Sequence, residues 1–143
     1  MKKMINLSIG FAILGMTLGV FYRELTKWTG FYDTVGARTQ LGFTHVHTLV
    51  LGMIMMIIFR LVLKAFNKDA NDIKTGLITY ISGLLLAIVM MTVRGTIQVV
   101  ATNPLSSGMD SMISGISGLS HIVLAVGLIM ILLKFRKFSD TKE

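Results

Sequence analysis

Cysteine is absent from this 143-residue chain, and proline occurs only once. The lack of thiols excludes disulfides, thiolate metal sites and the covalent attachment of a c-type haem. Charged residues are also scarce, at 15%, whereas hydrophobic residues make up 53% and the mean hydropathy is +0.74. This composition is not that of a soluble protein, and the length corresponds to a single domain, residues 1–143.

Four long stretches carry few charges, and each is long enough to cross a membrane as a helix, since about 20 residues span roughly 30 Å of hydrocarbon. They cover residues 4–22, 40–63, 76–101 and 112–133. The stretches are continuously apolar, which favours helices over the strands of a membrane β-barrel. We therefore predict an all-α, four-helix transmembrane bundle in contact with the lipid bilayer.

The net charge of +7 indicates membrane topology rather than a nucleic-acid partner, because the basic residues lie mainly on one side of the four spans. That side carries Lys2, Lys3, Lys64, Lys68, Lys74, Lys134, Arg136, Lys137 and Lys142, and the other side carries Arg23, Lys27 and Arg38. Basic residues concentrate in cytoplasmic loops. We expect cytoplasmic N and C termini in a multi-pass protein of the bacterial cytoplasmic membrane.

Three histidines lie within apolar runs: His45 and His47 in the second span and His121 in the fourth. An ionisable residue inside a membrane span is costly, so it points to function. Two helical residues separate side chains by about 200°, so His45 and His47 cannot both face the bundle centre. Small residues mark the packed side of a membrane helix, and Gly42 and Gly52 favour His45 as the inward histidine. His47 would then meet a neighbouring helix, a subunit partner or the head-group region.

Polar groups from all four helices are expected at one depth, in the outer leaflet. His45 lies about five residues below the outer end of its helix, Arg94 about eight and His121 about nine, at 1.5 Å per residue. Arg23 closes the first helix. Scattered polar residues would not be expected to share one depth, so the pattern predicts a common binding site.

Five motifs are distributed along nearly the whole chain: Tyr22-Arg23-Glu24-Leu25-Thr26-Lys27, Thr39-Gln40-Leu41, His45-x-His47-x-Leu49-x-Leu51-Gly52, Val93-Arg94-Gly95 and Ser114-Gly115-x-x-Gly118-x-x-His121. In these motifs the chain resembles a family of small four-span bacterial membrane proteins grouped as a domain of unknown function. Histidines in the apolar helices of a small bundle also give a looser architectural likeness to membrane b-type cytochromes, which by itself does not establish function.

The pattern favours a haem b site in the outer leaflet between the second and fourth helices. Haem requires imidazole ligands from facing helices, an apolar slot and donors for its propionates. His45 or His47 would pair with His121 as axial ligands. Such a site would serve external-side redox with a redox partner, haem handling or gas sensing. The candidate residues for the propionates are Arg23, Arg94, Tyr22 and Gln98.

Two other functions would use the same residues. His45, His47 and His121 could bind copper or zinc, since both metals accept imidazole ligands and the thioethers of the 11 methionines suit Cu(I). A small-solute or proton-linked transporter would place a histidine and Arg94 in a polar vestibule. The sequence offers no nucleophile, base and orienting residue for hydrolysis, so hydrolytic chemistry has no support and a redox role stays open. Glycine-rich helix faces would allow a homo-oligomer.

Overall fold

The computed structural model describes residues 2–31, 38–101 and 106–140, and every regular element within these ranges is helical. The elements are α1 (Lys2–Trp28), α2 (Leu41–His47), a π-helical segment (Thr48–Ile54), α3 (Met55–Ala65), a 3-10 turn (Ala70–Ile73), α4 (Lys74–Val100) and α5 (Ser107–Asp140). Helix α2, the π segment and α3 run on without a break, and we call this stretch, Leu41–Ala65, the second span. Four stretches are long and apolar enough to cross a membrane. The prediction of a four-helix, multi-pass membrane protein is therefore confirmed.

The helices are longer than the predicted spans. Helix α5 has 34 residues, about 51 Å at 1.5 Å per residue, which exceeds the roughly 30 Å of hydrocarbon in a bilayer. Its extra turns are polar and basic, and lysine and arginine are good helix formers. Hydropathy marks the apolar part of such a helix and does not extend to its polar and basic end turns.

Both ends of the described chain lie at one end of the bundle. There Phe66 contacts Phe138, with ring centroids 6.2 Å apart, and Met4 lies close to Leu63 and Lys68. We call this the terminal end. At the opposite end, which we call the loop end, α1 and α4 finish and α2 and α5 begin.

Each helix packs mainly on its neighbour in the chain: α1 on the second span, α2 and the π segment on α4, and α4 on α5. Glycines allow the close approaches. A methyl group at Gly95 would lie 2.7 Å from the Leu41 Cα, and one at Gly127 would lie 2.6 Å from the Tyr80 Cα. Side chains cannot fit at these distances, so glycine sets the spacing of α4 from both of its partners, as is common in membrane helix pairs.

The π segment of the second span was not foreseen from the sequence. Its i→i+5 hydrogen bonds widen the turn, and such segments are frequent at functional sites. Two hydroxyls from other helices bond to its carbonyls: Tyr80 Oη donates to the Leu51 oxygen at 2.8 Å, and Ser8 Oγ donates to the Met53 oxygen at 3.0 Å. Helices α1 and α4 therefore hold the widened turn from two sides.

Aromatic side chains fill the core toward the terminal end. The Phe59 ring lies 5.5 Å from Tyr80 and 6.1 Å from Phe135, in edge-to-face arrangements. Phe59 and Tyr80 are almost completely buried. These contacts join the second span, α4 and α5, and close the bundle at this level.

Candidate functional site

His45 lies between the second span and α1. Its side chain packs against α1 at Gly19, since a methyl group at Gly19 would lie 3.7 Å from the His45 Cβ. The imidazole stacks on the Tyr22 ring, with centroids 6.4 Å apart and planes inclined by 16°. Its Nδ1 is buried without a hydrogen-bond partner among the described residues. The sequence places His45 on the packed face of the second span, and in the structure that face packs tightly against α1.

His47 points away from that contact and has a different hydrogen bond. Its Nδ1–H donates to the Phe43 carbonyl oxygen at 3.0 Å, one turn earlier in the helix. A carbonyl can only accept, so the proton is on Nδ1 and the lone pair of a neutral ring is on Nε2. The half-buried His47 is therefore oriented as metal-ligating histidines are, with the second nitrogen held by the backbone.

His121 repeats this arrangement on α5. Its Nδ1–H donates to the Ser117 carbonyl oxygen at 2.8 Å, which again leaves the Nε2 lone pair of the neutral ring available. The side chain is exposed within the isolated chain. Two histidines on different spans thus share one tautomer and one mode of support.

His47 faces the same side of the second span as Phe59. In an α-helix, a side chain four residues further along is rotated by 40° about the helix axis. The wider π turn rotates less per residue, which offsets this rotation. His47, Leu51, Met55 and Phe59 therefore stack along one face. Burial increases along it, from the half-buried His47 to the fully buried Phe59.

His121 faces the same side of α5 as Phe135. His121, Leu128 and Phe135 recur every seven residues, close to two full helical turns. Because Phe135 contacts Phe59, we infer that these two faces border a common region beside α4. We call this region, which lies between the second span and α5 on the loop-end side of Phe59 and Phe135, the interspan cleft.

The two histidines lie at similar heights above the Phe59–Phe135 contact. His47 is about 18 Å above Phe59 along the second span, and His121 is about 21 Å above Phe135 along α5, at 1.5 Å per residue. Because a π-helix rises less per residue, the distance from His47 to Phe59 is slightly shorter than this. His47 and His121 are therefore within about one helical turn, 5.4 Å, of each other in depth.

Arg94 joins α4 to α5 on the loop-end side of His121. Its Nη2 donates to Asp110 Oδ1 at 2.8 Å, and its Nη1 donates to Ser114 Oγ at 2.7 Å. Asp110, Ser114 and His121 share one face of α5, as the sequence indicates. The pairing of Arg94 with Asp110 was not predicted from the sequence. It could have been, because two residues of opposite charge lie near the loop ends of adjacent helices.

The other predicted propionate-binding residues lie at separate places. Gln98 Oε1 accepts the Gln40 backbone N–H at 2.8 Å, which leaves the amide nitrogen of Gln98 as a donor on α4. Tyr22 packs on His45 at the α1 side. Arg23 is 78% exposed, and its Nε lies 3.8 Å from Glu24 Oε1. Only Gln98 and Arg94 therefore belong to the helix that forms the floor of the interspan cleft.

Within residues 2–31, 38–101 and 106–140, no three histidine, aspartate or glutamate side chains are grouped as ligands for a metal ion. The reason is the geometry of the second span, which directs His45 toward α1 and His47 away from it. The histidines therefore divide into one at the α1 contact and two that border the interspan cleft.

Comparisons with known proteins give a family and no activity. No curated protein matches the chain, and no solved structure matches it. The profile of a family described as protein of unknown function (DUF2871) matches residues 1–138. Since the match covers nearly all four spans and both histidine motifs, the chain belongs to the DUF2871 family.

Proposed function

We propose that this protein binds haem b in the interspan cleft, with His47 and His121 as the axial ligands. The observation that carries the proposal is the shared hydrogen bonding of these two rings. Each Nδ1–H is held by a backbone carbonyl one turn earlier, and each Nε2 carries the lone pair that iron requires. Imidazole is an established axial ligand of haem iron, and this chain offers one neutral imidazole from each of two helices.

The surroundings of the two histidines also support a flat, apolar guest. Leu51 and Met55 lie on the His47 face of the second span and Leu128 lies on the His121 face of α5, and all three are partly buried hydrophobic residues that pack against the core. On the floor, Ala87 is small and buried. Helix α5 packs on α4 more than on the second span, which leaves lateral room between the two ligand-bearing helices.

The proposal takes His47 rather than His45 as the partner of His121. His45 packs against α1, where Gly15 and Gly19 bring the helices close together. A methyl group at Gly15 would lie 2.8 Å from the Leu49 side chain, so a porphyrin has no room on that side. His47 is therefore assigned as the ligand because it lies away from the tight α1 contact.

Arg94 and Gln98 are the residues that would hold the propionates. A guanidinium has five N–H donors, and Asp110 and Ser114 occupy two of them, so Arg94 can add a carboxylate while staying in place. Both residues lie toward the loop end. The propionates would then point out of the bilayer, where carboxylates are solvated.

Bound haem would supply one-electron redox chemistry or gas binding, and the chain would supply its orientation and its apolar surroundings. We propose that both termini are cytoplasmic, from the distribution of lysine and arginine, so that the haem lies in the outer leaflet. The three histidines of the sequence all lie toward the loop end, so the terminal half supplies no imidazole for a second haem. The function is therefore redox at the external side, haem handling or gas sensing, rather than electron transfer across the whole bilayer.

Haem titration of the purified protein in detergent tests this assignment. The wild-type chain should give a Soret band that shifts on reduction, with one haem bound per chain. His47→Ala and His121→Ala should each lose the low-spin spectrum, whereas His45→Ala should keep it as a matched control. A wild-type protein that leaves the haem spectrum unchanged would exclude the proposal, and loss in His45→Ala alone would exclude the ligand pair.

A further inference from the structure

A groove runs between α1 and α4 toward the terminal end, on the other side of α4 from α5. Its volume is about 600 Å³. Helices α1 and α4 border it; α1 packs on the second span, whereas α4 packs mainly on α5. Gly10, Phe11 and Leu14 line it from α1, and Ile81 and Leu85 line it from α4.

The groove has the length of an acyl chain in one leaflet. It extends along α1 from Lys3 to Leu14, about 16 Å at 1.5 Å per residue. One leaflet contributes about half of the roughly 30 Å of hydrocarbon in a bilayer. The groove therefore matches one extended acyl chain in the leaflet at the terminal end.

Gly10 opens the groove rather than bringing two helices together. A methyl group at Gly10 would meet no heavy atom within 4 Å, unlike one at Gly15, which would meet Leu49 at 2.8 Å. The space in front of Gly10 is thus available to a guest. The neighbouring Phe11 is 5% exposed, so the back of the groove is closed by an aromatic side chain.

Two lysines, Lys3 and Lys74, lie toward the terminal end of the groove. Lys3 and Asn6 line that end. Lys74 begins α4 seven residues before Ile81, so it lies on the same face of α4 as the groove-lining residues. A lysine from each wall thus flanks the position of a lipid head group, and basic residues near a membrane surface attract anionic lipids.

We propose that this groove binds one anionic phospholipid, with an acyl chain along Gly10 and the head-group phosphate between Lys3 and Lys74. The groove faces away from the interspan cleft, so the proposal does not depend on haem binding. Asn6 adds a neutral donor beside the phosphate. Zwitterionic lipid has the same acyl chain but lacks the net charge, so the two lysines provide the selectivity.

Native mass spectrometry of the purified full chain tests the proposal by counting lipids retained from vesicles of phosphatidylglycerol and phosphatidylcholine. The wild type should retain one phosphatidylglycerol in preference to phosphatidylcholine. Gly10→Leu should fill the groove and lose that lipid. Gly115→Leu is the matched control, since a methyl group at Gly115 also meets nothing within 4 Å and the residue lies on α5.

The lysines are tested separately, in variants at the helix ends that leave the packed interior unchanged. Each lysine near the surface contributes about 1 kcal/mol, or roughly fivefold in affinity. Lys3→Gln with Lys74→Gln should therefore lower the preference for phosphatidylglycerol by roughly 25-fold, whereas Lys64→Gln with Lys134→Gln should leave it unchanged. Equal retention of both lipids by the wild type would overturn the proposal. So would unchanged retention in Gly10→Leu, or displacement of the lipid by inorganic phosphate alone.

Discussion

Replacing Gly127 by alanine tests the packing of α4 on α5 most sharply. The added methyl group would lie 2.6 Å from the Tyr80 Cα, whereas ordinary contacts of this kind are 3.4–4 Å. Since the obstacle is backbone, the two helices would have to separate by about 1 Å. Overpacking of this kind costs about 1–3 kcal/mol.

The same change at Gly115 provides the control on the same helix. A methyl group there meets no heavy atom within 4 Å, and alanine is a better helix former than glycine by about 1 kcal/mol. Unfolding by SDS in mixed micelles, followed by far-ultraviolet circular dichroism, gives both free energies. Gly127→Ala should lower the free energy of unfolding, and Gly115→Ala should leave it unchanged or raise it. Equal effects of the two changes would refute the packing described here.

Two further predictions concern the π segment and the topology. Tyr80→Phe removes the hydroxyl that donates to Leu51 but keeps the buried ring, so the free energy of unfolding should fall by about 1 kcal/mol in the same SDS titration; an unchanged value would show that this bond does not support the π segment. Lys68→Cys introduces the only thiol, and a membrane-impermeant maleimide should label it only after cells are opened. Labelling in intact cells would contradict cytoplasmic termini.

The sequence was sufficient for the fold because hydropathy reports directly on membrane spans. It also indicated glycine-rich helix faces, and on α1 two such glycines, Gly15 and Gly19, both meet the second span. It did not reveal the π segment, whose carbonyls accept hydrogen bonds from the Ser8 and Tyr80 hydroxyls in distant parts of the chain.

The choice between His45 and His47 required the structure. Small neighbours mark a packed face, and they led to His45 as the inward residue. A packed face against α1 is also a face without space for a cofactor, and sequence alone does not distinguish the two. The backbone hydrogen bonds of His47 and His121 likewise depend on side-chain torsions that residue spacing does not define.

The most direct measurement of the central claim is the electron paramagnetic resonance spectrum of the oxidised, haem-loaded protein. The account predicts a low-spin ferric signal typical of two imidazole ligands, converted to high spin by either His47→Ala or His121→Ala and unchanged in His45→Ala. A high-spin wild-type signal, or a low-spin signal that survives both substitutions, would contradict ligation by His47 and His121.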